Sequence, residues 1–289
     1  MNRFIELNDG NKIPLIGFGT WRLEENRERQ VVEQAIEVGY RFFDTASLYG
    51  TERAIGAAVN ASNLPRQEFF LASKVWLDEM GYQNTIDACN RSLERLDTDF
   101  IDLYMIHWPK KQGMTDSEWK QLDLETWQAL EFLASEGKVK SIGVSNFLPH
   151  HLNNLLDNCE IVPAINQLEL HAGYFQEAAV QFCEEKNIKI MSWGSLGRGK
   201  EKSYNVLPIM EQFAHKYGKT PQQIYLRYLL QRQIIPLPKS NSKQHMIENI
   251  DVFDFNISEE DMWIITCMPQ DCWLGEHPDF AIPTKKLVF

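Results

Sequence analysis

Short, wholly apolar runs alternate with longer amphipathic stretches along almost the entire chain, and this alternation restricts the available architectures more than any other feature. The apolar runs fall at residues 15–18, 41–44, 69–73, 101–106, 141–144, 164–168, 189–193 and 234–237. Most are apolar at consecutive positions rather than at every second one, as parallel strands are when helices cover the sheet on both faces. Between them, helical spacing runs over residues 27–38, 52–61, 82–96, 118–136, 149–157, 176–186, 206–217 and 221–231. Thr220-Pro221 adds an N-cap followed by proline at the first helical position, where the missing N–H costs nothing. Ahead of the first unit, residues 4–14 read as a β-hairpin turning at Asn8-Asp9-Gly10. Eight strand–helix units in one unbroken chain favour an α/β fold of the (β/α)8 TIM-barrel type, with an N-terminal β-hairpin, over an open doubly wound sheet.

Composition bounds the rest. Neither a Pro/Gly/Ser-rich linker nor a low-complexity segment divides the 289 residues, and 44% of them are hydrophobic; a single domain over 1–289 is expected. The net charge of -11, from 29 basic and 40 acidic residues, argues against a nucleic-acid or anionic-membrane surface, since either gains from a basic face. The N-terminus lacks the apolar core of a signal peptide and no run is long enough to span a bilayer, so a soluble cytoplasmic protein is expected. The five cysteines (Cys89, Cys159, Cys183, Cys267, Cys272) have no metal-ligand spacing, and most of them read as packed thiols. No metal site is indicated.

Four polar residues stand at the ends of these apolar runs: Asp44 and Tyr49 after the second, Lys74 after the third and His107 after the fourth. In a barrel, residues just past the strands converge on the C-terminal face, where active sites sit. A phenol with a reference pKa of about 10 needs help to act as an acid near neutrality. A neighbouring Lys74 ammonium favours the phenolate, Asp44 keeps that lysine charged, and His107 can aim a carbonyl toward Tyr49. Each residue alone also has a local reading: Asp44 as a cap, Tyr49-Gly50 as a packed turn, Lys74 as a surface strand end, and His107 as a satisfied histidine before Trp108-Pro109. Their shared placement favours the joint reading.

These residues, with Gly17-Phe-Gly-Thr-Trp21, Tyr49-Gly-Thr-Glu52, Ser73-Lys-Val-Trp76, His107-Trp-Pro, Gly143-Val-Ser-Asn-Phe147, Asn166-Gln167, Trp193-Gly-Ser-Leu-Gly197 and Pro238-Lys-Ser240 with Glu248-Asn249, resemble the aldo-keto reductases over nearly the whole chain. The tryptophan of Ser192-Trp193-Gly194 looks most like the bacterial branch that includes 2,5-diketo-gluconate reductases. The resemblance implies NAD(P)H-dependent reduction of aldehydes or ketones, with Tyr49 as proton donor, Lys74 and Asp44 tuning it, and His107 orienting the carbonyl. It also implies a nicotinamide cofactor across the barrel mouth, its carboxamide bonded by Ser145, Asn146 and Gln167 and its ring stacked on Trp193. Thr20, Trp21, Asp44, Gly194 and Leu196 would complete that end. Lys239, Ser240, Asn241, Ser242, His245, Glu248 and Asn249 would hold the adenosine end.

Gly17-Phe-Gly-Thr-Trp-Arg22 lacks the third glycine of a dinucleotide fingerprint, so a Rossmann site is not indicated. His245 stands where similar proteins carry arginine, and an ordinary imidazole is mostly neutral at pH 7 whereas guanidinium is always charged. The expected cofactor is therefore NADPH, with NADH accepted. Trp21, Leu48, Trp76, His107, Trp108 and Trp273 would line an apolar cup for a small aldehyde or ketone, and the segment 271–280 would fold over the mouth. The expected protein is a monomer. A nicotinamide-binding regulatory barrel, like potassium-channel β subunits, and a crystallin-type structural protein are the alternatives the resemblance leaves open.

Overall fold

The computed structural model describes residues 4–197, 206–268, 273 and 275–280. Strands β1 (Phe4–Glu6) and β2 (Lys12–Pro14) form the hairpin, with Ile5 opposite Ile13. Its turn uses Gly10 at a φ of +84°, a left-handed conformation in which a Cβ would be strained.

Eight parallel strands follow: β3 (Phe18–Gly19), β4 (Phe42–Asp44), β5 (Phe70–Val75), β6 (Ile101–Ile106), β7 (Val139–Ser145), β8 (Ile165–Glu169), β9 (Lys189–Trp193) and β10 (Ile235–Pro236). They pair strictly in chain order from β3 to β10. The amides of Gly17 and Gly19 then donate to the carbonyls of Pro236 and Pro238, each at 3.1 Å, joining the first strand region to the last and closing the barrel. The proline at 236 has no donor of its own, but closure here uses only its acceptor.

The alternating helices are α1 (Glu28–Val38), α2 (Glu52–Ala61), α3 (Tyr82–Leu96), α4 (Asp116–Ser135), α5 (Pro149–Leu156), α6 (Glu177–Glu185), α7 (Leu207–Tyr217) and α8 (Pro221–Gln231). Two more, α9 (Lys243–Ile250) and α10 (Glu259–Thr266), complete the described chain. Sequence periodicity did not single these out because each is short and buries few residues: Met246 and Asn249 in α9, Asp261 and Ile265 in α10. The first barrel strand lies later than its apolar run, at Phe18–Gly19 instead of residues 15–18. The ladder is set by the partner, and β4 offers pairing only to Phe18 and Gly19, through Phe43 and Asp44. The proline at the N1 position of α8 is as expected, with Thr220 Oγ1 accepting from the Gln223 amide at 3.2 Å.

Strand alternation sorts side chains into two cores. Phe42, Phe70, Leu103, Met105, Ile165 and Met191 point into the barrel, while Phe43, Leu71, Tyr104 and Ile106, one position on in each strand, pack outward beneath the helices. Each such side chain contributes about 1.5–3 kcal/mol when fully buried. Leu7 and Ile13 of the hairpin region join the inner core. Asn8 Nδ2 donates to the Pro163 carbonyl at 3.0 Å and Asn11 Nδ2 to the Lys140 carbonyl at 3.1 Å, so the hairpin plugs the end where strands begin. The opposite mouth remains for chemistry.

One close approach in the helical layer is diagnostic. A Cβ on Gly56 of α2 would lie 2.4 Å from the Leu96 carbonyl oxygen at the end of α3, and backbone cannot rotate away as a side chain can. Gly56→Ala is expected to lower stability by about 1–3 kcal/mol, the usual cost of overpacking, read as a lower urea midpoint; an unchanged midpoint would show that the two helices separate freely.

Candidate active site

The alternation that fills the barrel also builds its upper rim. Phe42 is followed two residues later by Asp44, Ala72 by Lys74, Met105 by His107, Ile165 by Gln167 and Met191 by Trp193; the lower member of each pair lies in the inner core. With a side-chain period of two, the upper members share the inward face. The barrel lining therefore changes from apolar to polar within one repeat of the strand.

Lys74 is the anchor of that polar layer. Its side chain has no exposure, and Nζ donates to Asp44 Oδ1 at 2.9 Å, Asp44 Oδ2 at 2.8 Å and the Thr45 carbonyl at 2.9 Å. All three ammonium protons thus have acceptors. Burial drives the Lys74 ammonium below the ordinary lysine range, against the opposing pull of Asp44 and, farther off, Glu52. Gln167 Nε2 donates to Asp44 Oδ1 at 2.8 Å, so β8 reaches across the mouth to steady the acid. The reading of Lys74 as a surface strand end is excluded.

Tyr49 ends a short 3-10 turn, Ser47–Tyr49, closed by Gly50 at a φ of +75°. That turn swings the phenol over the pair: Lys74 Nζ lies 5.1 Å from the ring centroid. Tyr49 Oη is 3.3 Å from His107 Nε2. Trp21 packs on the Tyr49 ring at 4.7 Å between centroids, and Trp76 meets the His107 ring edge-on at 5.0 Å. Burial, reinforced by the charge of Lys74, holds the His107 imidazole well below its usual range, so it is neutral at pH 7. The tetrad expected from strand ends is therefore one cluster.

The carboxamide set is also contiguous. Asn146, just past β7, has a φ of +63°, a conformation asparagine tolerates better than most residues. Its Nδ2 donates to the His107 carbonyl at 3.0 Å and to Ser145 Oγ at 3.1 Å, and its Oδ1 accepts from Trp193 Nε1 at 2.8 Å. Ser145 Oγ donates to the Gln167 carbonyl at 3.0 Å. Hydroxyl and amide groups without formal charge, beside a half-buried indole, suit a neutral carboxamide on an aromatic ring, so the residues present fit a nicotinamide. Gly194, at a φ of +66°, turns the chain past the indole, and Leu196 follows half-buried. Thr20 faces the Asp44 turn: its hydroxyl donates to the Asp44 carbonyl at 2.8 Å.

At the far side of the mouth, Ser240 is buried and Ser242 precedes α9, its amide donating to Ser240 Oγ at 2.9 Å. Asn241 Oδ1 accepts from the Glu24 amide at 3.2 Å, linking the loop after β3 to that after β10. Lys239 and His245 are exposed, Glu248 is half-buried and takes Gln244 Nε2 at 2.9 Å, and Asn249 is buried. Leu48 and Trp108 pack half-buried against the outer core. Trp273 meets Tyr174, in the segment that follows β8, at 5.2 Å and His277 at 5.2 Å. Of the thiols, burial pushes Cys89 up to about 12 and Cys183 up to about 11, as inert packing groups require; Cys272 lies outside the described residues.

The roles of two carboxylates escaped sequence reading. Glu52, at the start of α2, is buried and takes Ser73 Oγ at 2.6 Å and Arg95 Nε at 2.6 Å, placing a second negative charge behind Lys74. Glu169, two residues beyond Gln167, is buried at the rim and is bonded by His171 Nε2 at 3.2 Å. Alternation within β8 would have placed Glu169 on the inward face; nothing local announces the partners of Glu52.

The model of the Aldo/keto reductase family matches residues 15–268. The 9,11-endoperoxide prostaglandin H2 reductase of Trypanosoma cruzi is 40% identical over 280 residues, covering 96% of each chain. The glyoxal reductase of Bacillus subtilis is 39% identical over 276 residues, 95% of this chain and 96% of that one. Among solved structures, the Bombyx mori aldo-keto reductase in complex with NADP superimposes with a TM-score of 0.81 at 36% identity, covering 91% of both chains.

The neutral, buried imidazoles carry a pH signature. His107 lies well below 6.5 and His151 is pushed down to about 3, chiefly by burial. In the unfolded chain both take up protons below about pH 6.5, so their contribution is complete above that pH and is lost as pH falls, by up to about 1.4 kcal/mol per unit for each. Unfolding free energy measured in urea should drop from pH 6.5 to 5, with a shallower slope in His107→Gln; an equal slope would mean that His107 is charged in the native state.

Proposed function

The chain belongs to the aldo/keto reductase family, and from that membership we propose that it reduces aldehydes and ketones to alcohols with Tyr49 as the proton donor and NADPH as the preferred reductant. The family is one of oxidoreductases that use a nicotinamide cofactor on small carbonyl compounds. One observation carries the assignment of roles: a fully buried Lys74–Asp44 pair directly beneath a tyrosine whose hydroxyl is within 3.3 Å of a neutral histidine.

The bound nicotinamide supplies the hydride. The chain's own part is to hold the carbonyl and deliver a proton. Tyr49 Oη and His107 Nε2 lie 3.3 Å apart, so with the His107 proton on Nε2 a carbonyl oxygen between them would accept from both. Neutral His107 serves as a donor without placing a second positive charge beside Lys74. As Tyr49 gives up its proton, phenolate charge develops next to the Lys74 ammonium, which is already in place and needs no solvent to reorganise. Asp44 keeps that ammonium charged and pointed. Ser145, Asn146 and Gln167 would hold the carboxamide and Trp193 the ring, while Trp21 and Trp76 keep the carbonyl's surroundings apolar and exclude water.

Removing a positioned general acid costs about 10²–10⁴ in rate. Tyr49→Phe should lose that much kcat with glyoxal-type, aromatic or sugar aldehydes while still binding NADPH, followed by oxidation of the reduced nicotinamide; a rate equal to wild type sinks Tyr49 as donor.

For the 2'-phosphate, Lys239 and Ser240 support NADPH, while His245 in place of a permanent cation supports tolerance of NADH. A charge-assisted hydrogen bond is worth about 1.5–3 kcal/mol, so His245→Arg should raise the NADPH-to-NADH ratio of kcat/KM by roughly 10- to 200-fold. An unaltered ratio places the 2'-phosphate away from residue 245.

A further inference from the structure

The described residues 275–280 are fastened to the barrel rim at two points, by groups that end or follow the neighbouring strands β6 to β9. On the β8–β9 side, the Gly275 amide donates to Glu169 Oε2 at 3.0 Å, and a Cβ at residue 275 would lie 2.5 Å from Trp193 Cη2. The glycine backbone therefore rests directly on the edge of the indole proposed to carry the cofactor ring. At the loops after β6 and β7, Asp279 Oδ1 accepts from His150 Nε2 at 3.0 Å and His151 Nε2 at 3.1 Å, and faces Lys110 Nζ at 3.3 Å. His150 and His151 lie in the first turn of α5, and Lys110 lies in the segment after β6.

His150, His151 and Asp279 have ligand atoms all within 4.8 Å of one another, close enough for a metal ion. The imidazole tautomer argues otherwise. The Leu148 amide donates to His151 Nδ1 at 3.1 Å, so in the neutral ring the proton sits on Nε2, and Nε2 has no lone pair for a metal. A ligating histidine normally donates from its other ring nitrogen; here that nitrogen accepts. Lys110 adds a fixed positive charge where a cation would need to sit. The chemistry is that of an anion site: two imidazole N–H groups and an ammonium around one carboxylate.

We propose that Lys110, His150 and His151 form a carboxylate receptor whose resident ligand is Asp279 of the same chain, and that this clasp holds residues 275–280 against Trp193 and slows cofactor exchange. The effect on exchange rests on the proposed stacking of a nicotinamide on Trp193; the clasp itself does not. Asp279 is faced by Lys110, His150 and His151, and by His277 of its own segment, whose Nδ1 is 3.8 Å from Oδ2; Trp119 of α4 flanks both α5 imidazoles. Burial lifts the Asp279 carboxyl, but its histidine and lysine partners outweigh that and hold it below the usual carboxylate range. Asp279 therefore stays charged, and His151 stays neutral, from pH 5 to 8.

Asp279→Ala removes the ligand and leaves the receptor, so acetate should refill it, and Asp279→Asn tests the charge at nearly constant shape. In the protein without cofactor, hydrogen exchange of the 275–280 amides should accelerate by roughly tenfold or more in Asp279→Ala, the scale of one charge-assisted bond, and slow again with added acetate. Stopped-flow release of NADPH should accelerate in parallel. Unchanged amide exchange in both variants overturns the clasp, and faster exchange with unchanged NADPH release overturns its control of the mouth. If the wild type binds no NADPH, the reductase reading falls while the exchange result still decides the receptor. Stoichiometric binding of Zn²⁺ alone to the wild type, lost in His150→Ala, overturns the carboxylate assignment in favour of a metal.

Discussion

Taking an ammonium and a carboxylate out of water costs several kcal/mol per ion, and the Lys74–Asp44 pair does so at the centre of the barrel mouth. Such a pair survives only where its geometry is complete. Here three acceptors surround Nζ, and Gln167 binds the acid from β8, across the mouth. Removing either partner would strand a buried charge, which costs more than the pair contributes. Three strands must therefore be held in register at one level, and the closure of β3 on the β10 region serves that requirement. The residues that do the proposed chemistry, Tyr49 and His107, lie above this pair and inherit its order.

A directional barrel makes that arrangement possible. The hairpin fills the lower end with Leu7 and Ile13, so the inner core is apolar beneath the site. One strand repeat higher the lining turns polar. At that level Ser145 Oγ donates to the Gln167 carbonyl, Asn146 Nδ2 to the His107 carbonyl and Trp193 Nε1 to Asn146 Oδ1, linking the upper ends of β6 to β9. The indole is thus tied through Asn146 to the backbone of the histidine that would orient the carbonyl, and the proposed cofactor platform and carbonyl site form one rigid network. The tail segment then rests on the outer edge of the same indole.

Much of this was legible beforehand because period and chemistry agree. The bounds of β6 and β9 coincide with their apolar runs, and those of α2, α3 and α8 with their helical spacing. The polar residues at the strand ends proved to be one cluster. Where the reading slipped, the missing information was a partner: β3 is displaced because β4 dictates its ladder, and α9 and α10 bury too few residues to show a period. Trp273, expected at the carbonyl cup, packs on Tyr174 of the segment after β8, a contact between remote positions that no local pattern announces. Glu52 and Asp279 act on groups from 21 and 128 or 129 positions away in sequence, a separation no local pattern encodes.

The sequence by itself determined the eight-fold repeat, the family likeness and the residue types of the polar cluster at the strand ends, because strand periodicity and strand-end chemistry are written in neighbouring positions. Only the tertiary structure decided the closure between Gly17 and Pro236, the total burial of Lys74, the neutrality of His107 and the fastening of the tail by Asp279. Each of these depends on distance and desolvation between segments remote in the chain, and those quantities exist only once the barrel has closed.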